Sequence, residues 1–356
     1  MSAAQRQAAW ARLTAAGLVE GDEPAAQVPG PPWFVRVMLG FAGWIGALFL
    51  LAFGGVLFSS LFDKTLLALL IGSILCGAAI LLFRLRGDND FVAQFGFALS
   101  LAGQALLVVG LGNLFDTWTS AIALAAAVVE AALFFLAPSF LHRVWTAGAA
   151  AAAVVFALAS WHVSFLAPGL LTAAFAWVWL RELEDPRHGE LWRAGGYGLT
   201  LAAVGTVFLL DFVVDMAFLH PARDGGTGVA LAILRDYAGA AVSGVALIYV
   251  VVRLLGREGV PLASGAGRAA LAGAAVLALA SLAAPGLAPA VAILVLGYAN
   301  GNRVLTGLGV LVLLGYLSYY YYSLETTLLL KSALLVAVGS ALLGVRLALH
   351  RWWLHA

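Results

Sequence analysis

Apolar blocks of about 20 residues recur along this 356-residue chain, and they constrain its fold more than any other feature. A helix of about 20 apolar residues crosses a bilayer core of roughly 30 Å. The chain is 63% hydrophobic and 10% charged, whereas a soluble domain carries about 25% charged residues. Strands of a membrane barrel alternate polar and apolar residues, and stretches such as 97–112 and 121–137 do not. The sequence therefore predicts an all-α, polytopic transmembrane helical bundle.

The beginning of the chain has a different character. Residues 3–17 mix polar and apolar side chains and predict a short amphipathic helix with Trp10 on its apolar side, before a run rich in proline and glycine. This start lacks the apolar core of a secretory signal. We therefore divide the chain into a short cytoplasmic N-terminal segment, 1–32, and a transmembrane helical domain, 33–356. A disordered tail over 19–32 is an alternative.

Hydropathy divides the transmembrane domain into twelve apolar segments. Two consecutive pairs are separated only by a Trp-His or a Pro-Gly dipeptide, so each pair could instead form one long kinked helix or a re-entrant hairpin. These pairs are 144–160 with 163–180 and 269–283 with 286–300. The other predicted segments are 37–61, 66–83, 91–114, 117–137, 194–219, 229–252, 304–323 and 327–349.

The basic residues test this count independently, because cytoplasmic loops carry an excess of Lys and Arg. With the N-terminus inside, the alternation of segments places only Lys64, Arg223, Arg235 and Lys331 outside, and all other Lys and Arg inside. This pattern favours about twelve spans with both termini in the cytoplasm. Removing both members of one uncertain pair preserves the parity, so ten spans is an alternative.

The first and last predicted hairpins resemble each other. The only two lysines of the chain, Lys64 and Lys331, fall on equivalent positions, and at the same spacing Arg84 aligns with Arg351. These matches predict a parallel hairpin repeat, as in some transporter folds. Alternatively, any hairpin with both ends inside favours arginine at those ends. Small residues at shared positions predict close helix packing: Gly72, Gly77, Gly339 and Gly344.

Charged residues at membrane depth are costly to bury, so each marks a candidate site. Glu130 lies well inside its predicted segment, without an evident partner in that segment. A second group gathers at the outer ends of two consecutive segments, where it predicts either a vestibule for a cation, proton or polar solute or an Asp–Arg pair that ties two helices together. This outer group comprises Asp211, Asp215, His220, Arg223, Asp224, Arg235 and Asp236.

Several kinds of chemistry find no support in the sequence. The single cysteine, Cys76, excludes a disulfide within the chain and a thiolate metal site. The six histidines are scattered, and no hydrolase, metalloprotease or nucleotide-binding motif stands in a suitable context. We therefore predict no metal site, no cofactor and no nucleic-acid partner.

The stretch Pro31-Pro-Trp-Phe-Val-Arg-Val-Met-Leu-Gly-Phe-Ala-Gly-Trp44 resembles the opening of an uncharacterised bacterial family of multi-spanning membrane proteins, a domain of unknown function. The stretch Trp10-Ala-Arg-Leu-Thr-Ala-Ala-Gly-Leu18 is similar to the short N-terminal helix of a related uncharacterised membrane family. The resemblance implies a bacterial inner-membrane protein and, as a partner, a small membrane-anchored protein with a GDYXXLXY motif. It implies no catalytic or ligand-binding residues.

Three functional hypotheses follow. The first and leading hypothesis is a transporter-like or permease-like bundle without enzymatic activity, because polar residues at membrane depth often mark solute and ion pathways. The second is a non-catalytic scaffold subunit of a membrane or periplasmic complex. The third is a lipid-modifying membrane enzyme that uses the outer carboxylates.

Overall fold

A computed structural model describes residues 3–17, 19, 21, 64–86, 89–115, 120–216 and 229–323, with isolated positions between 34 and 52. Only the backbone is described at 3–6, 86, 183, 186, 209–216, 229–236 and 323. Apart from turns, the described chain is helical and contains no strand, which confirms the predicted all-α class. The short N-terminal helix is also confirmed. The helices are α1 Ala3–Ala15, α2 Thr65–Arg86, α3 Asp90–Phe115, α4 Ser120–Leu136, α5 Phe140–Ser160, α6 Ala167–Glu184, α7 Gly189–Met216, α8 Val229–Arg257, α9 Gly265–Ala283, α10 Leu287–Ala299 and α11 Arg303–Ser323.

The length and composition of these helices suit a membrane. Within the described residues, seven helical segments are long and apolar enough to cross a bilayer, and α4 and α10 are apolar but shorter. Large apolar side chains lie exposed on the outside of the bundle, among them Leu66, Val128 and Leu311. In water such a surface would favour aggregation, whereas lipid tails solvate it.

The two uncertain pairs of segments each form two separate helices. Between α5 and α6, His162 adopts a φ of +59°, a left-handed conformation that ends the helix, and a short 3-10 turn follows. α5 then packs mainly on α4 and α7, while α6 packs on α7 and α8. Between α9 and α10 the break falls at 284–286, and α9 packs on α8 whereas α10 packs on α11.

Most consecutive helices form antiparallel pairs. The N-terminal part of α11 lies against the C-terminal part of α10, and Gly297 there meets the backbone at Thr306. In the α6–α7 pair, Arg193 near the start of α7 bonds to Glu182 near the end of α6. Parallel contacts then join the pairs, since the N-terminal parts of α5 and α7 meet at Gly148 and Gly198. Helix direction therefore alternates, and we call the end where α6 finishes and α7 begins the basic end.

The basic end collects most of the arginines at helix termini. Arg84 at the end of α2 donates to the Leu136 carbonyl at the end of α4. Arg253 near the end of α8 is paired with Glu184 at the end of α6. The arginines near these helix ends are Arg84, Arg143, Arg181, Arg193, Arg253 and Arg303.

Close packing of α2 on α3 depends on glycine. A Cβ on Gly72 would lie 2.8 Å from the Gly103 carbonyl oxygen, and a Cβ on Gly103 would lie 2.6 Å from the Cys76 sulfur. These contacts confirm the predicted packing role of Gly72. For Gly77 the prediction is not confirmed, because no atom of the described residues, its own helix backbone aside, lies within 4 Å of a Cβ placed there. Gly339 and Gly344 lie outside the described residues.

The main core surrounds α6. Trp179 and Phe175 are fully buried at its centre, and side chains from α5, α7, α8, α10 and α11 pack around them. The Trp179 indole N–H donates to Thr200 on α7 at 3.0 Å. This bond satisfies a polar group that could find no water at this depth.

Candidate functional site

The predicted outer group lies mostly outside the described side chains. Asp211 and Asp215 are on the last turns of α7, and Arg235 and Asp236 are on the first turns of α8, where only the backbone is described. His220, Arg223 and Asp224 lie outside the described residues. The clustering of these seven residues stays a prediction.

Of the two repeat-related lysines, the structure describes one. Lys64 is exposed immediately before α2, and its carbonyl accepts hydrogen bonds from the first turn of that helix. Lys331 lies outside the described residues, so the repeat also stays a prediction.

Glu130 is the predicted site residue that the structure describes most fully. It lies on α4, about 15 Å along the helix from Ser120 and about 9 Å from Leu136. Its side chain is buried, with 7% of its surface exposed. Its Oε2 atom has no hydrogen-bond partner in the described part of the chain. Such an oxygen is costly in an apolar interior unless it binds a proton or a cation.

A chain of polar side chains lies within electrostatic range of Glu130, and no hydrogen bond joins the two in the described residues. The Cys76 thiol on α2 contacts the Ser100 carbonyl on α3 at 3.8 Å. The Ser100 hydroxyl lies 2.8 Å from Nε2 of His142 on α5. Four helices therefore each contribute a polar group to one buried region.

The same region extends through Gln104. Its amide donates to the Ser100 hydroxyl at 3.2 Å and accepts from the Trp145 indole N–H at 2.9 Å. This second bond joins α3 to α5, as polar side chains between membrane helices commonly do. We call the whole group the polar chain, and its members are Cys76, Ser100, Gln104, Glu130, His142 and Trp145.

His142 is the member that the sequence did not predict. It has no exposed surface, and Phe83 and Phe97 place their rings 5.3 and 6.1 Å from its own. Its Nδ1 atom, like the Glu130 oxygen, has no hydrogen-bond partner within the described segments. The next residue, Arg143, lies at the basic end and faces Glu190 across 3.9 Å. His142 thus connects the buried polar chain to that end of the bundle.

The polar chain has the components of a proton relay. Hydroxyl, imidazole, thiol and carboxyl groups can each accept and donate a proton, and Ser100 already hydrogen-bonds His142. No group of three or more His, Cys, Asp or Glu residues arranged for a metal ion occurs in the part of the chain that is described.

A second polar network closes the basic end. Glu182 is buried and accepts from Arg193 at 2.8 Å and from the Asn300 amide at 3.2 Å. The same amide also donates to the Trp179 carbonyl at 3.0 Å. Because its carboxylate is well partnered, this network ties α6, α7 and the end of α10 together rather than offering an open site.

A large apolar groove lies between α4, α5, α6 and α7, with a volume of about 700 Å³. The positions that line it on α5 point away from His142 and Trp145. On α4, Ala127 and Phe134 lie three residues before and four residues after Glu130, so the groove adjoins the helix face that carries Glu130. We call it the alanine groove, because its walls include Ala127, Ala131, Ala147, Ala150, Ala151 and Ala174.

These features define the class of the protein. Membrane-length apolar helices and a lipid-compatible exterior together make it a multi-pass α-helical membrane protein. The chain belongs to the family described as domain of unknown function DUF4401, which it matches over residues 32–352. The resemblance found in the sequence to such a family is therefore confirmed. No curated protein and no solved structure matches the chain.

Proposed function

We propose that the protein is a proton-coupled membrane transporter and that Glu130 is its proton-binding group. The observation that carries this proposal is that one carboxyl oxygen of Glu130 has no hydrogen-bond partner among the described residues. A nitrogen of the nearby buried His142 likewise has none there. A purely structural carboxyl would be expected to have a partner, as Glu182 has. Burial without a partner suits a group that binds and releases a cation in turn.

The polar chain supplies a route for the proton. His142 lies one residue from Arg143 at the basic end, and Ser100 connects it towards the middle of α3. Glu130 lies deeper along α4. In the proposal a proton that reaches His142 from the basic end passes to the Ser100 hydroxyl, which His142 hydrogen-bonds, and a water molecule carries it from there to the Glu130 carboxyl.

In the proposal, the outer group forms the outward-facing end of the proton route. Asp211, Asp215, Arg235 and Asp236, with His220 and Arg223, would form an outward vestibule for a proton, cation or polar solute. The i, i+4 spacing of the two aspartates supports this arrangement, because it places both carboxylates on one face of α7.

A twelve-span topology with both termini in the cytoplasm of a bacterial inner membrane completes the proposal. Alternating helix directions and the arginines of the basic end support it, since basic residues mark the cytoplasmic side. Single cysteines in place of His188 and Asp224, in a Cys76→Ala chain, would be labelled from opposite sides. Labelling of both from one side would contradict the topology.

The proposal also includes the partner implied by the family resemblance, a small membrane-anchored protein with a GDYXXLXY motif. Co-purification of that protein with the tagged full-length chain would support the pairing. Its loss after a mild detergent wash, under conditions where the chain stays folded, would contradict a stable complex.

Proton flux into liposomes tests the proposed function. The full chain is reconstituted with a pH-sensitive dye inside, and a potassium diffusion potential drives protons inward. We expect flux above that of empty liposomes, and we expect Glu130→Gln to abolish it, because the amide has a similar size but cannot bind and release the proton. Glu190→Gln is the matched control, because the Glu190 side chain is 83% exposed at the basic end.

Two results would refute this reading. One is wild-type flux no greater than that of empty liposomes, with or without gradients of candidate solutes. The other is Glu130→Gln flux equal to that of wild type. Circular dichroism of each variant ensures that a lost flux is not a lost fold.

A further inference from the structure

The alanine groove is about half a bilayer long. On α6 its lining runs from Leu170 to Val178, and on α4 from Ala127 to Phe135, which is about 12 Å in each case at 1.5 Å per residue. A transmembrane helix would need a groove of roughly 30 Å to pack along its whole apolar length. The groove therefore fits a ligand that occupies one leaflet.

The groove opens towards the surrounding lipid. Phe135, Val154 and Leu170 line it and are 69%, 40% and 46% exposed, so its edge lies on the outside of the bundle. Small alanine side chains form the deeper wall, and the lining is almost wholly apolar. A volume of about 700 Å³ lies within the usual range of ligand pockets, about 300–1,000 Å³.

One end of the groove is polar and lies at the basic end of the bundle. His188 and Trp192 line it there, and both hydrogen-bond to the Asp185 carboxylate, at 2.8 and 3.2 Å. Trp177 packs edge-on against Trp192, and the Arg181 guanidinium lies 5.6 Å from the Trp177 ring centroid. Tryptophan paired with arginine is typical of the depth of lipid headgroups.

The charges at this polar end favour an anion. Each acidic residue nearby has a basic partner: Asp185 has His188, Glu184 has Arg181 and Arg253, and the exposed Glu190 has Arg143 at 3.9 Å. Arg187, next to His188, is exposed and makes no ion pair with any residue that the structure describes. Its guanidinium is therefore available to a phosphate.

We propose that the alanine groove binds an acyl chain of an anionic phospholipid, with the phosphate near Arg187 and His188. The apolar walls exclude a polar solute, the half-bilayer length fits one leaflet, and the basic side chains at the polar end select a negative headgroup. The lipid proposal does not rest on the proton route, although the groove adjoins Glu130 on α4 through Ala127 and Phe134.

Native mass spectrometry of the full chain in detergent tests the site. Dioleoylphosphatidylglycerol and dioleoylphosphatidylcholine are titrated separately, and we expect one tightly retained phosphatidylglycerol. Ala131→Trp fills the groove and should abolish that retention. Val128→Trp is the matched control, because Val128 is on the same helix, 69% exposed and outside the groove lining. Ala150→Leu is a milder second filling variant from α5.

The headgroup part of the proposal has its own variant. Arg187→Gln should weaken phosphatidylglycerol binding about fivefold, the usual effect of one basic residue near an anionic surface, and leave phosphatidylcholine binding unchanged. Equal retention of the two lipids by wild type would overturn the charge argument. If both Ala131→Trp and Ala150→Leu retain phosphatidylglycerol as wild type does, the groove is not the lipid site. That result would overturn the proposal whether a protein segment fills the groove or the groove stays unfilled.

Discussion

Adding one methyl group to Gly103 should destabilise the α2–α3 hairpin, although alanine is the better helix former. The new Cβ would lie 2.6 Å from the Cys76 sulfur and 2.8 Å from the Gly72 carbonyl oxygen, and one of these neighbours is rigid backbone. Overpacking of this kind costs about 1–3 kcal/mol. Alanine recovers about 0.5–1 kcal/mol in a helix interior. We therefore expect a net loss of about 1–2 kcal/mol, which is about a 5- to 30-fold larger open population.

The single cysteine offers a direct assay of this loss. Cys76 is 4% exposed, so a maleimide can label it only when α2 and α3 separate. We expect Gly103→Ala to raise the labelling rate in detergent by that factor. Gly77→Ala is the control on α2, because no atom of the described residues outside its own helix backbone lies within 4 Å of its new Cβ, and it should label no faster than wild type. Equal rates for the two variants would refute the close-packing argument.

Two further predictions concern the ends and the centre of α6. Trp179→Phe removes the hydrogen bond to Thr200 and should lower the free energy of unfolding by about 1 kcal/mol in a mixed-micelle titration. The control is Trp177→Phe, at a 46% exposed position, which should lower this free energy by less. A larger loss for Trp177→Phe than for Trp179→Phe would contradict this reasoning. The hydrogen bond from His188 lowers the pKa of Asp185. The stabilising effect of the ionised Asp185 should therefore be present above the ordinary Asp pKa and be lost as the pH falls through the lowered pKa. A carboxyl ¹³C titration, assigned with Asp185→Asn, should show the lowered pKa, and an ordinary pKa for Asp185 would refute the prediction.

Hydropathy was sufficient to predict where the helices lie. Apolar length and arginine placement depend on residues near one another in sequence, and α2 to α11 coincide with ten predicted segments to within a few residues. Glu130 could likewise be chosen from sequence, since one carboxyl in an apolar block is costly whatever surrounds it.

The sequence analysis missed His142 because it placed the start of that helix too late. It missed the hydrogen bond between His142 and Ser100 because the two residues lie far apart in the sequence. The predicted segment began at 144, which placed His142 in a loop, whereas α5 begins at Phe140. Ser139, a common N-cap residue type, directly follows a proline and was the signal for the earlier start. The contact with Ser100 joins positions 42 residues apart, and no periodicity in one sequence specifies it.

The order in which the helices contact one another has a consequence for synthesis. The most extensive contacts join sequence neighbours, as in α2 with α3 and α10 with α11, so each such hairpin can form soon after its second helix emerges. The contacts of α5 with α7 and of α6 with α8 skip a helix and must wait for later chain. The central helix α6 is therefore incompletely covered until α8, α10 and α11 have been made, and this is the stage at which the growing chain most needs protection from misassembly.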